Sequence, residues 1–319
     1  MRYVKTGIFL AYLFMIIRSF IYGMSMYFTG SLLDSTNVFD VLALRFLLSA
    51  VVFSIFVLFR IVKVNYKGKK LMPLVLCMIF EPIGYFIFET YGIAGTTTSV
   101  AGILVSLAPA FTVILETIIL RETTTPAQKF LIFLRILGGL VIICNATSSG
   151  SNTVSGVIFM LLSVISGVLF TIFSRKASKD FTAIEITYAM TLMGALVFNT
   201  ISVIRHIADN TLNTYFDPFM NAENIIGFVF LGILSSIIAT IFNNYALGKV
   251  QASTAAAIAG LASVVTVAAG VILNGEQLYW YHYVSIALII IASFGVGFID
   301  EKKKTKNKSA VLTSNEGGL

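Results

Sequence analysis

The chain has 319 residues and a formal charge of +7, with 57% apolar and only 12% charged residues. Soluble domains run about 45–50% apolar and about 25% charged, so a water-soluble globule is excluded, and the mean hydropathy of +0.92 points to lipid as the solvent. Five prolines and two cysteines, Cys77 and Cys144, both inside apolar runs, exclude collagen-like, disordered and disulfide-scaffold classes and leave no thiolate metal site to expect.

At about 20 residues per crossing, ten apolar stretches are predicted to span a bilayer. The first, Thr6–Thr29, holds Arg18 and Tyr22 and reads as a retained start-transfer helix, since no cleavage site precedes a polar mature domain. The second, Phe39–Ile61, holds Arg45. The third, Leu71–Tyr91, carries Glu81 followed by Pro82 and Gly84, then Tyr85 and Glu89. That Pro and Gly loosen the helix and can leave backbone groups facing a cavity. The fourth, Thr97–Leu120, combines small residues (Ser99, Ala101, Gly102) with Pro109, a candidate gating bend. The fifth, Ala127–Ala146, holds Arg135, and the sixth is Thr153–Ser174. The seventh, Phe181–Ile204, includes Glu185 close enough to its end to snorkel, and Tyr188 as a candidate cavity aromatic. The eighth, Asn224–Ala246, ends in Asn243 and Asn244. The ninth, Ala252–Asn274, is dominated by Ala and Gly, a composition that favours close helix packing and secondarily leaves room for a ligand. The tenth is Tyr281–Ile299, with Tyr279, Trp280 and Tyr281 expected as interfacial anchors. The tail from Lys302 to Leu319 is polar, expected to be disordered, and its lysines suit anionic lipid.

Sorting Lys and Arg by loop sets the orientation. With the N-terminus inside, eighteen fall on cytoplasmic segments and one, Arg205, on an outer segment. The outer loops carry Asp34, Asp40, Asp209, Asp217, Glu223 and Glu276 instead. The net positive charge is therefore a topology signal, and no nucleic-acid partner is expected.

A shift of 154 residues lays Tyr91–Glu122 over Tyr245–Glu276 without a gap, with nine identities in 32 pairs, among them Ser99/Ser253, Thr112/Thr266 and Glu122/Glu276. An odd number of spans, five, separates the copies, so the second must lie upside down. Inverted repeats of this kind build secondary transporters with a midplane site between the halves. The expected fold is an all-α integral membrane protein of ten transmembrane helices in two inverted five-helix repeats, 1–148 and 149–299, followed by a cytoplasmic tail at 300–319.

The run Tyr91-Gly92-Ile93-Ala94, then Ser99-Val100-Ala101, Leu107-Ala108-Pro109 and Glu122, resembles the EamA type of the drug/metabolite transporter superfamily. The second copy, Tyr245-Ala246-Leu247, Ser253 and Asn274-Gly275-Glu276, shares the entry and the closing Gly-Glu, and Arg45 stands where the family commonly has an arginine. Ser263 replaces the second proline, Arg121 the glycine before Glu122, and the usual first-helix tryptophan is missing. The resemblance implies ten helices around a cavity opening alternately to each side. It also implies export of amino acids, related metabolites or drugs.

Seven ionisable residues lie within the spans: Arg18, Arg45, Glu81, Glu89, Glu116, Arg135 and Glu185. Charge in hydrocarbon is costly, so these should face the bundle interior or pair. Depth along the spans suggests three pairs: Arg18 with Glu81, Arg45 with Glu89, and Glu116 with Arg135. Candidates for substrate binding or coupling are Arg18, Tyr22, Arg45, Glu81, Tyr85, Glu89, Asn243 and Asn244. Glu81 or Glu89 is the candidate for coupling to protons. Under the repeat Glu89 corresponds to Asn243 and Glu81 to Ser235, one charged wall against one neutral wall, which suits a polar or zwitterionic ligand.

The expected function is a secondary transporter moving a small polar metabolite, an amino acid or related compound, across the cell membrane by alternating access. Export is the expected direction, and both termini are expected to be cytoplasmic. The partners are a small-molecule substrate, protons as a coupling candidate and the lipid bilayer; no cofactor or metal is expected. The alternatives are a multidrug or cation efflux carrier, or an intramembrane enzyme. Against the enzyme, the two histidines, His206 and His282, are isolated in sequence. No Gly-rich phosphate loop ending in Lys-Ser/Thr appears, so ATP-driven transport is not expected.

Overall fold

The computed structural model describes residues 2–120, 126–146, 152–250 and 252–292, the side chains of 2–6, 116, 119–120, 127–128, 146 and 252–257 excepted. The boundary at 148/149, Glu122 and the 300–319 tail lie outside the described residues, as does the Glu116 side chain.

Among the described residues the chain is helical throughout, with no strand. It runs α1 (Arg2–Leu33), α2 (Val38–Leu58), α3 (Met72–Met78), a π-helical turn (Ile79–Gly84), α4 (Tyr85–Ala94), α5 (Thr98–Val105), α6 (Ala108–Leu120) and α7 (Pro126–Ala146). It continues with α8 (Val154–Ala177), α9 (Ala183–Ala208), the short α10 (Asp217–Met220), α11 (Ala222–Val229), a second π-helical stretch (Phe230–Ala239), α12 (Thr240–Leu247) and α13 (Ala252–Leu273). A last apolar helix, α14, covers Trp280–Ala292. Among the described residues, seven stretches are long and apolar enough to cross a membrane: 7–33, 38–58, 72–94, 98–115, 154–177, 183–208 and 222–247. Two shorter apolar helices follow at 258–273 and 280–292. The chain is a multi-pass membrane protein.

Local chemistry starts these helices where the chain leaves a loop. Side-chain oxygens of Asn37, Thr97, Thr153 and Asn221 accept from the first-turn amides of α2, α5, α8 and α11. Thr182 and Glu185 form a reciprocal capping box on α9. Glu185 is thereby held at its own helix end: its carboxylate also accepts from the Asn65 amide at 2.8 Å and pairs with Lys69 at 2.7 Å.

Contacts between helix ends follow the alternation read from the lysines and arginines. At the basic end, the α2–α3 loop meets the start of α9 through Lys69 and Glu185. At the acidic end, α4 meets α8, where the Thr153 amide donates to Gly95 O at 2.8 Å. There too α1 meets α11 through Ser35 and Asn224 at 3.3 Å, and Asp40 of α2 pairs with Arg205 of α9. Trp280 and Tyr279 are exposed, as interfacial anchors require, whereas Tyr281 is buried against His282 with ring centroids 4.3 Å apart.

Both π-helical stretches fall at matching places under the 154-residue shift, since 79–84 maps onto 233–238, inside 230–239. In the first, Pro82 forces the preceding residue out of the helical region, and Glu81 is extended at φ −148°, ψ 120°. The Phe80 carbonyl this exposes accepts from Ser166 Oγ on α8 at 2.8 Å. The second stretch has no proline. There Ser236 and Thr240 hydroxyls donate to carbonyls five residues back, Leu231 O at 2.8 Å and Ser235 O at 3.1 Å. The fourth span is also interrupted, between Val105 and Ala108, with Pro109 in the first turn of α6, where its missing amide costs nothing.

Candidate functional site

A cavity of about 90 Å³ lies between α1, the broken third span, α6, α8, α12 and α13. It has room for several waters or a small solute. Arg18, Tyr22 and Met26 reach it from one face of α1 at four-residue spacing. Glu81 enters at the extended residue of the break and Tyr85 one turn later. Thr112 comes from α6, Gly167 and Thr171 from α8, Asn243 from α12, and Ala259, Gly260 and Ala262 from α13. By chain position these side chains run from mid-bundle into the basic half.

One wall carries charge. The Arg18 guanidinium sits over the Tyr22 ring at 4.2 Å, and the Tyr22 hydroxyl donates to Glu81 Oε1 at 3.3 Å. Tyr22 and Glu81 are almost fully buried. Tyr22 thus stands between Arg18 and Glu81, contacting both, in place of the direct ion pair that depth suggested. The facing wall is neutral. The Thr112 and Thr171 hydroxyls spend their protons on carbonyls of their own helices, at 2.8 and 2.9 Å, leaving oxygen lone pairs for a donor. The Asn243 amide offers both a donor and an acceptor.

Other sequence-derived candidates stand behind this lining. Glu89 accepts from the Tyr85 hydroxyl at 2.6 Å, one turn beyond the cavity. Arg45 is buried, donates to Ser235 and Ser236 Oγ at 3.4 and 3.2 Å, and lies over the Phe86 ring at 4.5 Å. It therefore reaches the hydroxyls of the second π-helical stretch and makes no ion pair with Glu89 within 4 Å. Asn244 bridges helices, accepting from Ser174 Oγ at 2.8 Å and donating to Thr187 Oγ1 at 3.0 Å. Tyr188 is away from the cavity, bonded to Ser54 at 3.2 Å and packed on Phe53.

The α8 wall was not singled out from the sequence, although Ser163, Gly167 and Thr171 recur at four-residue spacing within an apolar helix. The small residues of α13 divide by level. Those at the cavity give space, and a Cβ added to Gly260 would meet nothing within 4 Å. Further along, α13 packs tightly on α1: a Cβ on Gly23 would lie 2.5 Å from Val265 Cβ.

The family pattern described as "EamA-like transporter family" matches residues 9–144 and again 154–298. The chain belongs to the EamA-like transporter family. Among its relatives, the "Uncharacterized transporter YcxC" of Bacillus subtilis (strain 168) is 32% identical over 297 residues, covering 93% of this chain and 95% of that protein. An "Uncharacterized transporter" of Archaeoglobus fulgidus is 29% identical over 237 residues, 74% of this chain and 80% of that protein. A solved crystal structure 16% identical superposes with a TM-score of 0.65, covering 92% of this chain and 98% of that one, and so shares the fold. This EamA-like chain is accordingly a membrane transporter, and the family points away from an enzyme.

Proposed function

We propose that this transporter is a secondary carrier that exports a small zwitterionic metabolite, an amino acid or a related compound, across the cell membrane by alternating access. The observation that carries the substrate class is the cavity wall on which Arg18 and Glu81 stand together, facing the neutral Asn243 and the two threonines. A carboxylate on the solute would meet the guanidinium and an ammonium the carboxyl, with Tyr22 between them. Ten transmembrane helices in two inverted five-helix repeats supply the moving parts. Two successive family matches and the matching positions of the π-helical stretches support this arrangement. The loop distribution of Lys and Arg supports cytoplasmic termini.

Glu81, which lines the cavity, is the residue proposed to exchange a proton for the solute; Glu89, one step behind it, is the reserve candidate. The test is counterflow in proteoliposomes across a range of pH. Glu81→Gln should flatten the pH dependence, and transport by both Glu81→Gln and Glu89→Gln with the wild-type pH profile would remove proton coupling through these groups. A second reading, cation efflux, draws on the aromatic and acidic trio Tyr22, Tyr85 and Glu81 around the same cavity. Arg18 on that wall disfavours it, and counterflow of a lipophilic cation in place of amino acids would reverse the choice.

A further inference from the structure

Above the cavity, toward the acidic end, α5 and α13 close on each other without a gap. The closure has three levels. Nearest the cavity, Gly102 lies against Thr266 so closely that an added Cβ would sit 2.8 Å from Thr266 Cβ. One turn out, Gly270 faces both Ser99 and the Glu276 carboxylate, and an added Cβ would come within 2.7 Å of Ser99 Oγ and of Glu276 Oε2. At the rim, Glu276 reaches across to the start of α5. Its Oε1 accepts from the Thr98 amide and its Oε2 from the Ser99 amide, both at 2.8 Å. Asn274 adds a bond from its Nδ2 to Thr98 Oγ1 at 3.0 Å. The turn that aims Glu276 is itself built: Gly275 adopts φ +64°, a conformation suited to glycine, and the Glu276 amide donates to Gly270 O at 3.0 Å.

A carboxylate taking two amides at a helix N-terminus is a charge-assisted contact favoured by the helix dipole. It joins two segments 177 residues apart in the chain, one from each half of the double family match. On α5 and α13 the cavity lining, by contrast, ends short of the Gly102–Thr266 level, at Val105 and Ala262. We propose that Glu276 is a positioning residue of the transport cycle: its carboxylate latches the acidic end of the α5–α13 seam and holds the cavity shut on that side. This rests on the alternating-access reading. It adds the group whose release lets the seam part, with the two glycine levels acting as the zip beneath it.

The readout is the side from which the cavity can be reached, which a merely structural bond would not alter. In a Cys77→Ser, Cys144→Ser background, Gly260→Cys places a thiol in open cavity space. A membrane-impermeant maleimide is applied to right-side-out and inside-out vesicles. Labelling is expected from the basic end. Adding Glu276→Gln, which sets an amide N–H against one of the two backbone donors, should raise labelling from the acidic end by roughly tenfold or more. Glu276→Ala should raise it further. Should either variant fail to accumulate, Gly102→Ala, whose Cβ would press on Thr266 and Ser263 O and so props the seam away from the carboxylate, is expected to act in the same direction. Unchanged labelling from the acidic end in every variant that accumulates overturns the latch. Labelling that changes side while no solute shows counterflow leaves the latch standing and removes the carrier reading; counterflow with unmoved labelling does the reverse.

Discussion

The break in the third span can be tested by a double substitution at Gly84 and Ser166. A Cβ on Gly84 would lie 2.5 Å from Ser166 Oγ, about 1 Å inside ordinary contact. Overpacking of that kind costs about 1–3 kcal/mol. Ser166→Ala alone removes the donor to Phe80 O and leaves a buried carbonyl unsatisfied, also about 1–3 kcal/mol. In the double variant the clashing oxygen is gone, and the nearest remaining atoms to the new Cβ are Ile79 O at 3.3 Å and Ser166 Cβ at 3.6 Å. Alanine is also the better helix former by about 1 kcal/mol. Gly84→Ala in the Ser166→Ala background should therefore cost almost nothing, and the two single effects should overcount the double by about 1–3 kcal/mol. Unfolding free energies of the four proteins, measured in mixed micelles by denaturing-detergent titration, give the coupling. Additivity within about 0.5 kcal/mol would refute the packing described at the break.

Burial and then the Asp40 carboxylate push the Tyr215 phenol up from 10.0 to about 12. Its neutral form is thus favoured in the folded state, so the stability it contributes is full below pH 10 and is lost as pH rises toward 12. Tyr215→Phe should flatten that alkaline loss, as read from unfolding midpoints at pH 9 to 12. Glu185→Ala removes the capping box and the Lys69 pair together, and should destabilise by about 1–2 kcal/mol in the same micelle titration without moving the solute affinity.

Much of the fold was legible because hydropathy registers a lipid environment directly, and the charged loops record which helix ends lie together. Rotation of each helix was harder to read. In lipid the outward face is as apolar as the packed one, so no polar stripe marks the exterior and the apolar residues do not declare a face. Asn243 and Asn244 are adjacent, for example, and only the α12 phase decides that one faces the cavity and the other bridges α8 and α9. The buried charges were findable because each is costly. Their partners were not: depth suggested carboxylates, whereas Arg45 takes two hydroxyls from a helix 190 residues away. Glu276 stood out from the sequence as a repeat identity, an outer-loop acid and the end of the closing Gly-Glu, none of which names a partner. Its partners are backbone amides, which carry no side-chain signature at all.

The most direct measurement is counterflow of labelled amino acids into proteoliposomes preloaded with unlabelled solute, comparing wild type with Gly260→Trp. Gly260 borders open space in a cavity of about 90 Å³, so an indole there fills the proposed path while leaving the Arg18–Tyr22–Glu81 wall intact. The wild type should accumulate label transiently, and Gly260→Trp should lose that accumulation while unfolding like the wild type. Counterflow that survives the indole, or the lack of any counterflow by the wild type across amino acids and related zwitterions, would contradict solute passage through this cavity.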